Sequence, residues 1–157
     1  MGTSLQKSNR SPKLCIVSSC GGHLTEVRAL RPIYERYEYF YVLNDHVSLP
    51  NDMEGRTYFI CHAERNWKTL LNVWEAWKIL RSKRPSLILS TGAGPVVVFA
   101  LVGKVLGIPT IFIETFTRVQ GPSLTGRIMY HLADRFFYQW KPLQLFFPRA
   151  TYGGPII

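Results

Sequence analysis

Lys13-Leu14-Cys15-Ile16-Val17-Ser18-Ser19-Cys20-Gly21-Gly22-His23 is an apolar run that stops at two glycines and a histidine. Leu14–Ser18 has the length and composition of a buried strand, and Gly21-Gly22 supplies the backbone freedom for a tight turn into a helix. The arrangement returns twice. Leu87–Ser90 runs into Thr91-Gly92-Ala93-Gly94-Pro95, and Thr110–Ile113 runs into Glu114-Thr115-Phe116. In a parallel sheet the turns that follow strands share one rim, and open α/β sheets bind their ligands there.

Working outward, strands and helices alternate. Tyr39–Leu43 and Tyr58–Cys61 read as further strands. Asn66–Lys83 reads as an amphipathic helix with Trp67, Leu70, Leu71, Trp74, Trp77 and Leu80 on one broad face and Lys68, Asn72, Glu75 and Lys83 opposite. Val96–Leu106 is apolar nearly all round, with Pro95 tolerated in its first turn and Gly107 ending it. Pro122–Leu132 reads as a helix, Arg135–Gln139 as a last strand, and the segment after Pro142 as a short helix. This predicts an α/β protein with a Rossmann-like, doubly wound parallel sheet. Residues 1–12 form a polar tail and residues 13–157 one domain.

Ala93–Ile113 carries one charge, Lys104, but Gly107 and Pro109 divide it. Each half is too short to span a bilayer, so a buried helix and a buried strand are expected. The formal charge of +9 favours an acidic partner such as a phosphate-bearing substrate or an anionic membrane surface. Basic residues are densest at Lys78, Arg81, Lys83 and Arg84, where a solvated helix end is the alternative. Three cysteines without metal-ligand spacing, and no signal peptide in the first residues, suggest a cytoplasmic chain. His23, His46, His62 and His131 are too scattered to suggest a metal site, and no nucleic-acid module is recognisable.

The three turns supply the candidate chemistry. Gly21 and Gly22 before a helix suit an anion, as do Thr91, Gly92 and Gly94, although both segments serve equally as tight turns without a ligand. His23 can hydrogen-bond a substrate or act as a base near neutral pH. Glu114 directly ends a buried strand; it is either functional or an ion-paired or capping carboxylate, with Arg118 or Arg135 as partner. Arg118, Gln120 and Ser123 follow closely and could line the same cleft. The Trp67, Trp74 and Trp77 face is either core packing or a surface for a partner or membrane interface.

The chain resembles the PssD-type polysaccharide-biosynthesis family. These proteins are bacterial relatives of the membrane-anchored subunit of the two-subunit N-acetylglucosaminyltransferase of the dolichol pathway. The resemblance is carried by Ser19-Cys20-Gly21-Gly22-His23-Leu24, Ser90-Thr91-Gly92-Ala93-Gly94-Pro95 and Ile113-Glu114-Thr115-Phe116-Thr117-Arg118-Val119. Ser123-Leu124-Thr125-Gly126-Arg127, Asp134-Arg135-Phe136, Gln139-Trp140 and Tyr152-Gly153-Gly154 extend it. It implies the N-terminal, acceptor-binding half of a split GT-B glycosyltransferase, with a small partner subunit supplying most of the UDP-sugar site.

Transfer would go to a polyprenyl-diphosphate-linked saccharide in surface or capsular polysaccharide synthesis, with inversion and without a bound metal or other cofactor. Gly21, Gly22 and His23 would face the acceptor diphosphate and its sugar, and either Glu114 or His23 would be the base. Membrane contact, peripheral on the inner face of the cell membrane, would rest on Trp67, Trp74 and Trp77 with Lys78, Arg81, Lys83 and Arg84. A non-catalytic scaffold that recruits and activates a partner glycosyltransferase is the alternative function; a stand-alone small-molecule enzyme is a third.

Overall fold

The computed structural model describes residues 11–44, 49–61, 68–92 and 95–157. Strands β1 (Lys13–Ser18), β2 (Glu38–Leu43), β3 (Thr57–Phe59), β4 (Leu87–Ser90), β5 (Thr110–Ile113), β6 (Arg135–Tyr138) and β7 (Thr151–Tyr152) form one sheet. Their order is β3-β2-β1-β4-β5-β6-β7, and every neighbouring pair is parallel. The helices are α1 (Gly22–Ala29), α2 (Arg31–Tyr34), α3 (Lys68–Lys83), α4 (Pro95–Leu106) and α5 (Leu124–Leu132). The chain winds outward from β1 to β3, returns through α3, and winds the other way from β4. Strand order therefore reverses between β1 and β4, which opens a crevice at the C-terminal rim.

Alternation along the strands splits the core in two. Cys15, Val17, Phe40, Val42, Ile88, Phe112 and Phe136 point to the face covered by α3, α4 and α5. Leu14, Ile16, Tyr41 and Leu43 point to the other face, against Leu24 and Val27 of α1 and Tyr34 of α2. There Tyr34 and Tyr41 satisfy one another, hydroxyl to hydroxyl at 2.8 Å. On this second face the cover stops at β1 among the described residues. Beyond it Leu87, Leu89, Ile111, Ile113 and Phe137 are only half-buried, and with Ile33 they line an apolar groove of about 600 Å³.

Several local expectations need correction. In α3 the buried stripe is Asn72, Ala76 and Leu80, with Trp77 partly buried, whereas Leu71 and Trp74 are exposed at 43% and 61%. Large apolar residues lie on both sides of this helix, so periodicity alone could not tell its core face from its outer face. Asn66 and Trp67 lie outside the described residues. The chain breaks at Leu30, and α2 starts anew with Pro32 in its first turn. The segment at Pro142 is a 3-10 helix, Lys141–Leu145, and Thr151–Tyr152 adds a short strand that the sequence does not announce.

Candidate functional site

The rim of the crevice is built from the three turns the sequence singles out, together with the residues after β6. Gly21 sits at φ 98°, a left-handed conformation that favours glycine, and starts α1 without a side-chain cap. Gly21 and Gly22 are exposed, so the first-turn amides of α1 open onto the rim.

His23 crosses from α1 to the turn after β4. Its Nδ1 lies 3.2 Å from the carbonyl oxygen of Thr91, and the Thr91 hydroxyl donates back to the carbonyl oxygen of His23 at 3.0 Å. A carbonyl can only accept, so Nδ1 carries the proton and Nε2 of the neutral ring holds the free lone pair. The ring lies on Gly92: a Cβ there would stand 2.6 Å from Cε1 of His23. Gly92, at φ 126°, is therefore needed both for its backbone conformation and for the space it leaves. Its amide donates to the Ser90 hydroxyl at 3.1 Å. Thr91 is fully buried, and Gly94 lies outside the described residues.

Glu114 is placed differently from His23. It is fully buried, and its carboxylate accepts from Thr115 N (3.0 Å), Ser123 N (3.3 Å) and the Ser123 hydroxyl (2.8 Å). Ser123 is the N-cap of α5, and its oxygen also accepts from Gly126 N at 2.8 Å. The expected partners Arg118 and Arg135 make no ion pair with Glu114 among the described contacts. Arg135 begins β6 at the opposite rim, and Arg118 is exposed with Gln120 on the loop between β5 and α5. Burial pushes the Glu114 carboxyl above its ordinary range, against the pull of its hydrogen-bond donors and, last in weight, of the Arg118 charge at longer range. Its oxygens thus fasten α5 to the end of β5 and show no surface to solvent.

Glu26 was not legible as a site residue. From α1 it reaches across the crevice, accepting from Phe116 N at 2.6 Å, the Thr115 hydroxyl at 3.0 Å and Gln139 Nε2. Gln139 in turn donates to the Glu114 carbonyl and accepts from Ile156 N at 2.8 Å. Trp140 Nε1 donates to the Phe116 carbonyl at 2.6 Å. One buried carboxylate therefore ties α1 to the loops after β5 and β6, and it stands 3.9 Å behind His23 Nδ1. Its spacing from His23 was the available signal, but the burial comes from a loop ninety residues away in sequence.

The basic and aromatic residues proposed for a surface sit in different local surroundings. Trp74, Lys78 and Arg81 are exposed on α3. Lys83 instead lays its ammonium over the Tyr58 ring, 4.7 Å from the centroid. Arg84 ends the helix at φ 47°, its amide donating to the Leu80 carbonyl.

A family profile described as "Oligosaccharide biosynthesis protein Alg14 like" matches residues 55–156. The chain belongs to this Alg14-like family. It is 29% identical to the rat UDP-N-acetylglucosamine transferase subunit ALG14 over 92% of this chain and 82% of the relative. The human subunit of the same name is 26% identical over 94% and 84%. Solved structures place the Alg14-like fold as well. UDP-N-acetylglucosamine 2-epimerase from Rickettsia bellii superimposes with a TM-score of 0.74 at 13% identity, over 94% of this chain. MurG from Acinetobacter baumannii does so with a TM-score of 0.64 over 82%. The chain spans less than half the length of either structure (46% and 41%). It has the Rossmann-like fold seen in the N-terminal half of such GT-B proteins.

Proposed function

We propose that this chain is the acceptor-binding half of a two-chain inverting glycosyltransferase. Its substrates would be a UDP-sugar and a polyprenyl-diphosphate-linked saccharide, and its setting the synthesis of a surface or capsular polysaccharide. The family supports the reaction class, since the mammalian relatives are named as subunits of a UDP-N-acetylglucosamine transferase. The observation that carries the mechanism is the seating of His23, with Nδ1 on Thr91 and Nε2 left with its lone pair.

In this reading Nε2 of His23 takes the proton from the acceptor hydroxyl. The freed oxygen attacks the anomeric carbon, the bond from that carbon to the UDP oxygen breaks, and UDP leaves from the opposite side. Of the two candidate bases, the geometry favours His23, because Glu114 has no exposed oxygen. The Gly21-Gly22 turn with the open amides of α1 would meet the acceptor diphosphate, and Arg118 and Gln120 on their exposed loop would add contacts to it. The lipid-linked acceptor would hold the chain at a membrane surface. No described helix is long and apolar enough to cross a membrane, so that contact would be peripheral.

A second chain is supported by the half-bare sheet. Parallel sheets are normally covered on both faces, yet no helix among the described residues covers Leu89, Ile111, Ile113 and Phe137. A small subunit that supplies the nucleotide-sugar half would bury them.

The test is sugar transfer from radiolabelled UDP-sugars to lipid-linked acceptor, with this chain alone, the small partner alone, and both. Activity only with both, lost in His23→Gln, is the expected result. Transfer by the partner alone would make this chain a scaffold, and transfer by this chain alone would overturn the half-enzyme reading.

A further inference from the structure

On a helix that merely covers a sheet, the outer stripe is polar and of mixed charge. The helices over the fully covered face do not follow this. α3 presents Leu71 and Trp74, then Lys78 and Arg81. α4 presents Leu101 (47% exposed) and Val105 (75%) around Lys104. α5 presents Leu124 and Ile128 around Arg127 and His131. The 3-10 helix Lys141–Leu145 ends on Leu145, 86% exposed, beside Phe146.

Among the described residues the helices of this layer carry one acidic side chain, Glu75. Residues 76–157 contain ten Lys and Arg against two Asp and Glu. Of those two acids, Glu114 is fully buried and Asp134 accepts from Thr110 N at the far end of the sheet. Glu75, on α3, is half-buried and accepts from Cys61 N. The opposite face is the internal control. There Arg28 and Arg31 are neutralised by Asp52 at 2.9 to 3.3 Å, and Arg31 also by Glu35.

We infer that the outer surface of α3, α4, α5 and the turn at Leu145 is a docking face for an anionic lipid bilayer. Cations that make no ion pair among the described residues give the face its attraction to anionic headgroups, and the interleaved Leu, Val, Ile and Trp side chains gain by leaving water for the acyl boundary. A nucleic acid would match the charge but would leave those aliphatic side chains unburied. The stripes reach the crevice rim at Leu124, the first residue of α5. A bilayer on this flank therefore lies beside the site and leaves the half-bare sheet face free. The inference rests on the lipid-linked acceptor reading only for why a membrane would be at hand. Vesicle binding needs no sugar transfer, so either reading can fail without the other.

The experiment is co-sedimentation of the full chain with vesicles of phosphatidylcholine alone and of equal parts phosphatidylcholine and phosphatidylglycerol. The expected result is binding to the anionic vesicles that weakens with salt. Neutralising one basic residue should weaken it about fivefold, so Lys78→Glu with Arg81→Glu should weaken it by at least about twentyfold. Leu101→Ser with Val105→Ser should weaken binding too, with little change in its salt dependence. Arg36→Glu, an exposed site on the opposite side, should leave it unchanged. Circular dichroism confirms that each variant is folded. Wild-type protein that is folded yet ignores anionic vesicles would overturn the inference. So would equal losses for Arg36→Glu and the α3 pair, or tighter binding to single-stranded DNA than to vesicles.

Discussion

Replacing Gly126 with alanine tests whether Glu114 holds α5 in place. A Cβ at this position would stand 1.7 Å from Glu114 Oε2 and 2.7 Å from its Cδ. Contacts under 3.0 Å are essentially never seen for a real Cβ, so the carboxylate or the helix must move by roughly 1.3 Å. The carboxylate is fully buried and cannot swing into solvent. Moving it breaks its bonds to the Ser123 hydroxyl and Thr115 N, at 2.8 and 3.0 Å. Hydrogen bonds to a charged group contribute about 1.5–3 kcal/mol each, so Gly126→Ala should cost about 3–5 kcal/mol. That is a large part of a typical domain's stability.

The same substitution in a Glu114→Ala background should cost far less. With the carboxylate gone, the new Cβ meets the Ser123 hydroxyl oxygen first, at 3.0 Å, and alanine in a helix is favoured over glycine by about 0.5–1 kcal/mol. Urea denaturation of the wild type, both single variants and the double variant measures this cycle. A loss at least about 2 kcal/mol smaller in the Glu114→Ala background is expected. A loss under about 1 kcal/mol for Gly126→Ala alone, or the same loss in both backgrounds, would refute the role assigned to Glu114.

Three further outcomes follow from the same geometry. His23→Gln should lower transfer in the two-chain complex by about 10²–10⁴-fold, the usual worth of a general base, with urea stability little changed; transfer kinetics check it. Glu26→Gln keeps an oxygen for Phe116 N and Gln139 Nε2 but loses the charge, and should cost about 2 kcal/mol in urea denaturation, against about 3–5 for Glu26→Ala, which strands three donors. Because burial raises the Glu114 carboxyl in the folded chain, the native state binds that proton more tightly than the unfolded chain does. The stability tied to it is present in acid and declines as pH rises above the ordinary carboxyl value of 4.5. Thermal unfolding across that range should show a fall that flattens in Glu114→Gln.

The residues that carry this reading differ in how far they could be seen in advance. Apolar runs of strand length, each ending in a glycine or acidic turn, determined by themselves the parallel α/β class and the rim where the site lies. Glycine and proline punctuation is local chemistry, and it acts within a few residues of where it is written. His23 was visible for the same reason, as a polar ring at the mouth of a glycine turn. Its tautomer was not, because the carbonyl that fixes it belongs to Thr91, on a strand that becomes its neighbour only when the chain reverses between β1 and β4. Glu114 could be placed at the end of β5 but not interpreted: a capping carboxylate and a catalytic one read alike until Ser123 and Gly126 close over it. Burial, partnership and the outward turn of Trp74 depend on contacts between residues far apart in sequence. Only the packing of the sheet and its helices could decide them.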